Sequence, residues 1–140
     1  MINITGYNFL HRPKFHITIR VAEYDSPELE QPFGGAARDE AKARCVGGIW
    51  IKPCGASFDR VVANVDAGGD LAERMIKKGF GHPSRISDGK RKKYLHKLAR
   101  KAIAKRRGLW ADDVVVLPAH FRKDKNAKGK PRDEYLRDYR

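Results

Sequence analysis

Apolar and polar residues alternate through much of the first half of the chain and recur at helical spacing in the second. Ile17, Ile19 and Val21 alternate with Thr18, Arg20 and Ala22, a period of two that predicts a strand over residues 15–24. An earlier strand is predicted over 2–10, with Gly6 marking a bulge or bend, and Arg12-Pro13-Lys14 turning the chain between them. Residues 46–53 read as a third strand, with Ile49 and Ile51 on one face and Trp50 on the other. After the turn Gly55-Ala56-Ser57, residues 58–65 form a fourth. It sets Val61, Ala63 and Val65 on one face, and Arg60 with Phe58, Val62 and Asn64 on the other.

Three helices are predicted. Gly34-Gly35 opens an Ala-rich one over 36–45. Asp70, with Glu73 three residues on, has capping-box spacing, and Gly79 sits where a helix C-terminus favours a left-handed residue. Leu71, Ala72, Met75 and Ile76 form that helix's buried stripe. After a loop over 81–89, residues 90–107 place Tyr94, Leu95, Leu98, Ala99, Ala102 and Ile103 at three-to-four spacing. Gly108 ends this helix, and Leu109-Trp110 folds back as an apolar clasp. Residues 111–140 are less regular. A short strand is expected near 114–117, a basic mobile stretch over 122–132, and a short helix over 133–140.

Charge sharpens this picture. The formal net charge is +13, and it is unevenly placed: residues 1–70 hold 8 Lys/Arg against 9 Asp/Glu, while 71–140 hold 22 against 8. Such an excess points to a polyanionic partner, most often nucleic acid, because Lys and Arg replace condensed counterions along phosphates. The helix over 90–107 alone carries ten Lys/Arg and no acid, either as a solvated shell or as a phosphate-tracking surface. No apolar run approaches a membrane span, and no leader pattern is visible, which favours the cytoplasm as an expectation. Cys45 and Cys54 lack the spacing of a zinc site and are too few for a disulfide framework. His82 and His96 read as surface residues.

The candidate chemistry lies where the second strand breaks at Asp25-Ser26-Pro27. Pro27 lacks an amide donor and disfavours helix at Ser26, so a shaped loop must follow. That loop brings Asp25 and Glu28 to the strand end, with Arg20 just before them. Two carboxylates and a guanidinium there can hold a divalent metal, activate a water and grip a phosphate. Taken singly, they also fit a salt bridge and a plain Asx turn.

Their order and spacing resemble the staphylococcal nuclease (thermonuclease) family. The resemblance rests on Arg20, Asp25, Ser26, Pro27 and Glu28, followed by Gln31-Pro32-Phe33-Gly34. Phe58-Asp59-Arg60-Val61-Val62-Ala63, Lys78-Gly79-Phe80 and the basic helix ending at Gly108-Leu109-Trp110 continue it. It covers about two-thirds of the chain. It implies an α+β fold, a five-stranded OB-type β-barrel with three helices, over residues 1–110, with 111–140 as a basic C-terminal extension. It also implies a metal-dependent phosphodiesterase, usually calcium-dependent, that cuts DNA or RNA with little sequence choice, here expected as a monomer.

Residue by residue, the resemblance makes Glu28 the group that orients or deprotonates the attacking water. It makes Arg20 and Arg60 the phosphate clamp, and Asp25 with the Ser26 carbonyl the ligands of a Ca2+ ion. Phe58 lies against a base or sugar. Lys90, Arg91, Lys93 and Lys97 on the basic helix add affinity for nucleic acid. One departure stands out. Family nucleases carry a ligand Asp on the first strand, whereas this chain has Gly6-Tyr7-Asn8: Tyr7 or Asn8 stands in its place, depending on hairpin length, and Asn8 could offer a neutral oxygen. Tyrosines expected after the Gly79 turn are replaced by Gly81-His82-Pro83-Ser84-Arg85. Two rivals follow: a nucleic-acid-binding relative with crippled metal binding, and a ribosome- or protein-interaction module that uses only the basic half.

Overall fold

The structure is a computed structural model that describes the backbone of residues 2–7 and 13–140 and the side chains of residues 16–140. Strand β1 (Ile2–Tyr7) runs antiparallel to β2 (Pro13–Val21). β2 ends where Glu23 takes a left-handed φ of 70°, and the chain swings into a two-residue strand, β3 (Tyr24–Asp25). Helix α1 (Gly34–Cys45) follows. Strands β4 (Trp50–Ser57) and β5 (Arg60–Asp66) then form an antiparallel hairpin around Phe58-Asp59, and β5 lies parallel to β2. The resulting sheet has the order β1-β2-β5-β4.

The fold is α+β, as expected, but the described strands form an open mixed sheet rather than a closed five-stranded barrel. Closure would need the long second strand to bend and serve twice. Instead it breaks at Glu23, and β3 pairs antiparallel with β6 (His82–Pro83), a stretch that reads as loop because two residues carry no period. The third strand also starts later and runs further than its hydrophobic pattern suggests. Pro53 cannot donate to a ladder, and the chain absorbs it with a register shift between Pro53 and Gly55 on what is an edge strand.

Alternation on β2 and β5 turns Ile19, Val21, Ala63 and Val65 into the core, each at most 5% exposed. Against them pack α2 (Leu71–Lys78), through Leu71, Ala72, Met75 and Ile76, and α3 (Gly89–Ala104), through Leu95, Ala99, Ala102 and Ile103. An eight-residue helix such as α2 would not persist alone in water. Burying each large side chain of its stripe stabilises it by about 1.5–3 kcal/mol. Its ends are set as the sequence predicts: Asp70 Oδ1 accepts the Glu73 N–H at 2.9 Å, and Gly79 closes it at φ 75°. Past α3, the chain comes back against that closing turn. A Cβ on Gly79 would lie 2.0 Å from the Arg107 carbonyl oxygen, and one on Gly108 would lie 2.3 Å from the Gly79 oxygen. The Leu109 N–H donates to that same Gly79 carbonyl at 2.9 Å.

Residues 108–140 carry more structure than their composition suggests. A 3-10 turn (Gly108–Ala111) buries Leu109 and Trp110, the expected apolar clasp. Strand β7 (Val114–Val115) leads to α4 (Pro118–Lys123), and β8 (Lys130–Pro131) returns to pair with β7. A second 3-10 turn (Arg132–Glu134) and α5 (Tyr135–Asp138) end the chain. The stretch 122–132 is therefore tied down rather than mobile. Arg132 is 5% exposed and donates to the carbonyls of Trp110 and Asp112. The Tyr135 hydroxyl donates to the Val115 carbonyl at 2.9 Å, while its ring packs edge-on against Trp110. Tyr139 wedges between His82 and His96, sharing a 3.1 Å hydrogen bond with His82 Nδ1. Both histidines are consequently buried, contrary to their expected surface placement.

Candidate active site

Register brings the two predicted clamp arginines together. Arg20 pairs with Val62 across the parallel β2–β5 ladder, and Arg60 lies two positions before Val62. Side chains at a paired position, and at i and i+2, share a sheet face, so Arg20 and Arg60 project from the same side of adjacent strands. The opposite face is the core, where Ile19 and Ala63 are fully buried. Arg20 is half-buried, and its pKa falls below the usual arginine value. Burial is the main cause, followed by the guanidinium of Arg85, with smaller effects from Arg60 and Arg122; Asp25 works the other way.

Asp25 is placed by β3, opposite His82 on β6. The loop after it turns tightly. The Glu28 carbonyl accepts the Gln31 N–H, and the Gln31 carbonyl accepts the Gly34 N–H. Gly34 is obligatory: a Cβ there would lie 1.9 Å from the Glu28 carbonyl oxygen. The loop is also held from below. The Glu28 N–H donates to Gln31 Oε1 at 2.9 Å, and the buried Gln31 amide passes the connection on, donating to the Val116 carbonyl at 3.0 Å.

Both carboxylates meet one guanidinium that sequence reasoning did not place here. Arg122, on α4, donates to Asp25 Oδ1 at 3.1 Å, to Asp25 Oδ2 at 2.7 Å and to Glu28 Oε1 at 2.7 Å. The hydrogen bonds to Asp25, with the one to Glu28, raise its pKa above the ordinary arginine value against the opposing effect of burial. Arg20, Asp25, Glu28 and Arg122, with Arg60 and Arg85 in electrostatic range, thus form one cluster. Ser26 lies between the two carboxylates, and Asn8 falls outside the described residues.

The remaining predicted residues are scattered. Phe58 is 97% exposed at the hairpin tip and holds a left-handed φ of 56°, an uncommon conformation for a bulky residue. Lys90, Lys93 and Lys97 are exposed on α3. Arg91 turns inward instead, pairing with Glu23 at 2.8 Å, Asp70 at 2.5 Å and Glu73. Its charge is satisfied within the fold.

The described strands thus form an open mixed sheet with two arginines on one face, beside an acidic loop, and with the basic helix α3 packed against the other face. The family described as "Staphylococcal nuclease homologue" matches residues 18–112, and the chain belongs to it. The chain is also 33% identical over 110 residues to an "Uncharacterized 38.1 kDa protein" of Capnoides sempervirens. That match takes in 76% of this chain but only 32% of the relative, so the chain spans about a third of that protein's length. Membership places the domain among nuclease and nucleic-acid-binding folds. Among the described residues, no helix is long and apolar enough to cross a membrane.

The family implies a divalent metal, and the residues do not fit one as they stand. Calcium takes six to eight oxygen ligands. Here both oxygens of Asp25 and one of Glu28 are already bonded to Arg122. Among the described residues, no group of three or more His, Cys, Asp or Glu is placed to hold a metal ion.

Proposed function

We propose that this chain is a phosphodiesterase acting on DNA or RNA with little sequence choice. One observation carries the reading: Arg20 and Arg60 share a sheet face, and that face adjoins the loop bearing Glu28. A scissile phosphate between the two guanidinium forks would have its non-bridging oxygens neutralised by charge-assisted hydrogen bonds that persist at any physiological pH. Glu28, at the open side of the loop, orients the attacking water and accepts its proton, while the phosphorus–oxygen bond opposite the water breaks and the leaving sugar oxygen takes a proton from solvent. As negative charge grows on the phosphate, Arg20 and Arg60 stabilise it more than they stabilise the substrate, which is what lowers the barrier. No step in this scheme passes through a metal ion, since both carboxylate oxygens of Asp25 that would hold it are bonded to Arg122. Lys90, Lys93 and Lys97 add affinity that is indifferent to sequence, and Phe58 offers an exposed ring to a base.

A second reading, a nucleic-acid-binding domain that does not cut, is favoured by the same Arg122 contacts, because they engage the carboxylate needed for water. Plasmid DNA and RNA incubated with Ca2+, Mg2+, Mn2+ or chelator separate the two. The expected result is degradation that Glu28→Gln reduces by about 100- to 1,000-fold, the usual scale for loss of one group acting on the transition state. Binding without cleavage in every condition would select the second reading.

A further inference from the structure

Arg122 reaches the acidic loop from 97 residues away, and the chain is built to deliver it. Trp110, Tyr135 and Tyr139 fasten the C-terminal segment to the core. Gln31 ties the loop backbone to the strand end that precedes α4. Lys125, one turn beyond Arg122, pairs with Glu30 on the same loop. The guanidinium then straddles both acids, bidentate on Asp25 and single on Glu28. Charge balance points the same way. Asp25 and Glu28 bring two negative charges, and the first strand, INITGY, brings none. Arg122 cancels one, and Arg20 and Arg85 in electrostatic range leave the cluster with a positive surplus that suits a phosphodiester.

We infer that Arg122 is the resident cation of the Asp25–Glu28 site, standing where the family implies a metal ion, so that this chain binds phosphodiesters without a divalent ion. A metal entering the site must displace three charge-assisted hydrogen bonds, and its carboxylate ligands become available only when Arg122 is removed. Arg122 is thereby a positioning residue: it fixes the Glu28 carboxylate toward the face that carries Arg20 and Arg60. The inference rests on the phosphodiester reading for its anion but not for its cation.

Two measurements on the full chain test it, using Arg122→Ala, Arg122→Lys and, as a control for loss of one charge from the same helix, Lys123→Ala. In calorimetric titration with Ca2+ alone, the wild type and Lys123→Ala should show no binding at millimolar concentration. Arg122→Ala should gain a site with a Kd of about 10⁻⁴–10⁻³ M, the range of weak calcium modules. In binding to a fluorescent single-stranded DNA oligonucleotide, the wild-type Kd should be the same in EDTA and in Ca2+. Arg122→Ala should bind about tenfold more weakly in EDTA, roughly one charge-assisted contact, and recover when Ca2+ is added. Arg122→Lys keeps the charge and guards against misfolding of the alanine variant; it should fall between the two. The inference is overturned if the wild type binds Ca2+ as tightly as Arg122→Ala. It is equally overturned if Arg122→Ala or Arg122→Lys binds the oligonucleotide in EDTA as tightly as, or more tightly than, the wild type. An oligonucleotide bound by no variant would sink the phosphodiester reading, while the Ca2+ titration would still decide the identity of the cation.

Discussion

Two of the arginines that gather carboxylates, Arg91 and Arg122, do so to different ends. Arg91 lies between Glu23, Asp70 and Glu73, three acids around one guanidinium. Burial would pull its pKa down, but the hydrogen bonds to Glu23 and Glu73 raise it above the ordinary value. Arg122 lies between two acids, with Arg20 close enough to feel its charge. The first cluster has a negative surplus and joins the turn before β3 to the starts of α2 and α3. The second has a positive surplus, opens to solvent and joins the acidic loop to α4. The number of carboxylates around an arginine matters less than what surrounds the carboxylates: the first arrangement closes the fold, and the second leaves positive charge facing solvent.

If that contrast holds, Arg91→Ala should weaken the fold and spare the site. Removing it leaves three partly buried acids facing one another, and thermal unfolding should show a loss of about 2 kcal/mol, below the 3–5 kcal/mol of a fully buried pair. Oligonucleotide affinity of the folded protein should stay within about twofold, since Arg91 offers no free charge to a phosphate. A large loss of affinity with unchanged stability would erase the distinction.

A smaller effect should appear with pH beneath the second cluster. Burial lowers the pKa of His82 from 6.5, with the charges of Arg122 and His120 adding to it, while Asp25 and a hydrogen bond involving the Pro83 backbone oppose. The unfolded chain therefore takes up the proton first as pH falls. Stability from this group is present above about pH 6.5 and declines as pH falls below it. His82→Asn, which keeps an acceptor near Tyr139, should flatten that decline in denaturant titrations. His96, also lowered by burial, supplies a residual slope. The smallest expected change is in salt dependence. Lys90→Ala, Lys93→Ala and Lys97→Ala combined should reduce the salt slope of single-strand binding by about 2, near 0.7 for each contact. An unchanged slope would remove α3 from the interface.

The sequence exposed what local rules control. The Asp70–Glu73 spacing, Gly79 and the α3 stripe each depend on neighbours within a turn, and each forms as expected except that Tyr94, counted in the stripe, is 45% exposed. Even there a tertiary partner intervened: Arg91 and Tyr94 engage the Glu73 carboxylate. The shared face of Arg20 and Arg60 was half legible, through alternation on each strand; the parallel register that aligns them was not. Arg122 was invisible because nothing local links it to Asp25, and a segment rich in Lys, Arg and Asp reads as solvated. Its anchors, Tyr135 and Tyr139, are too few to give a period. The unclosed sheet has a similar origin, since a β3–β6 pair of two residues each leaves no pattern to find.

Where the turn closing α2 meets the end of α3, main chain touches main chain, with no side chain between them and no room to add one. The spacing of that junction is written in peptide geometry alone. Lysines along α3 can therefore be substituted without shifting the helix against α2, so the charge on that exposed face varies independently of the packing beneath it.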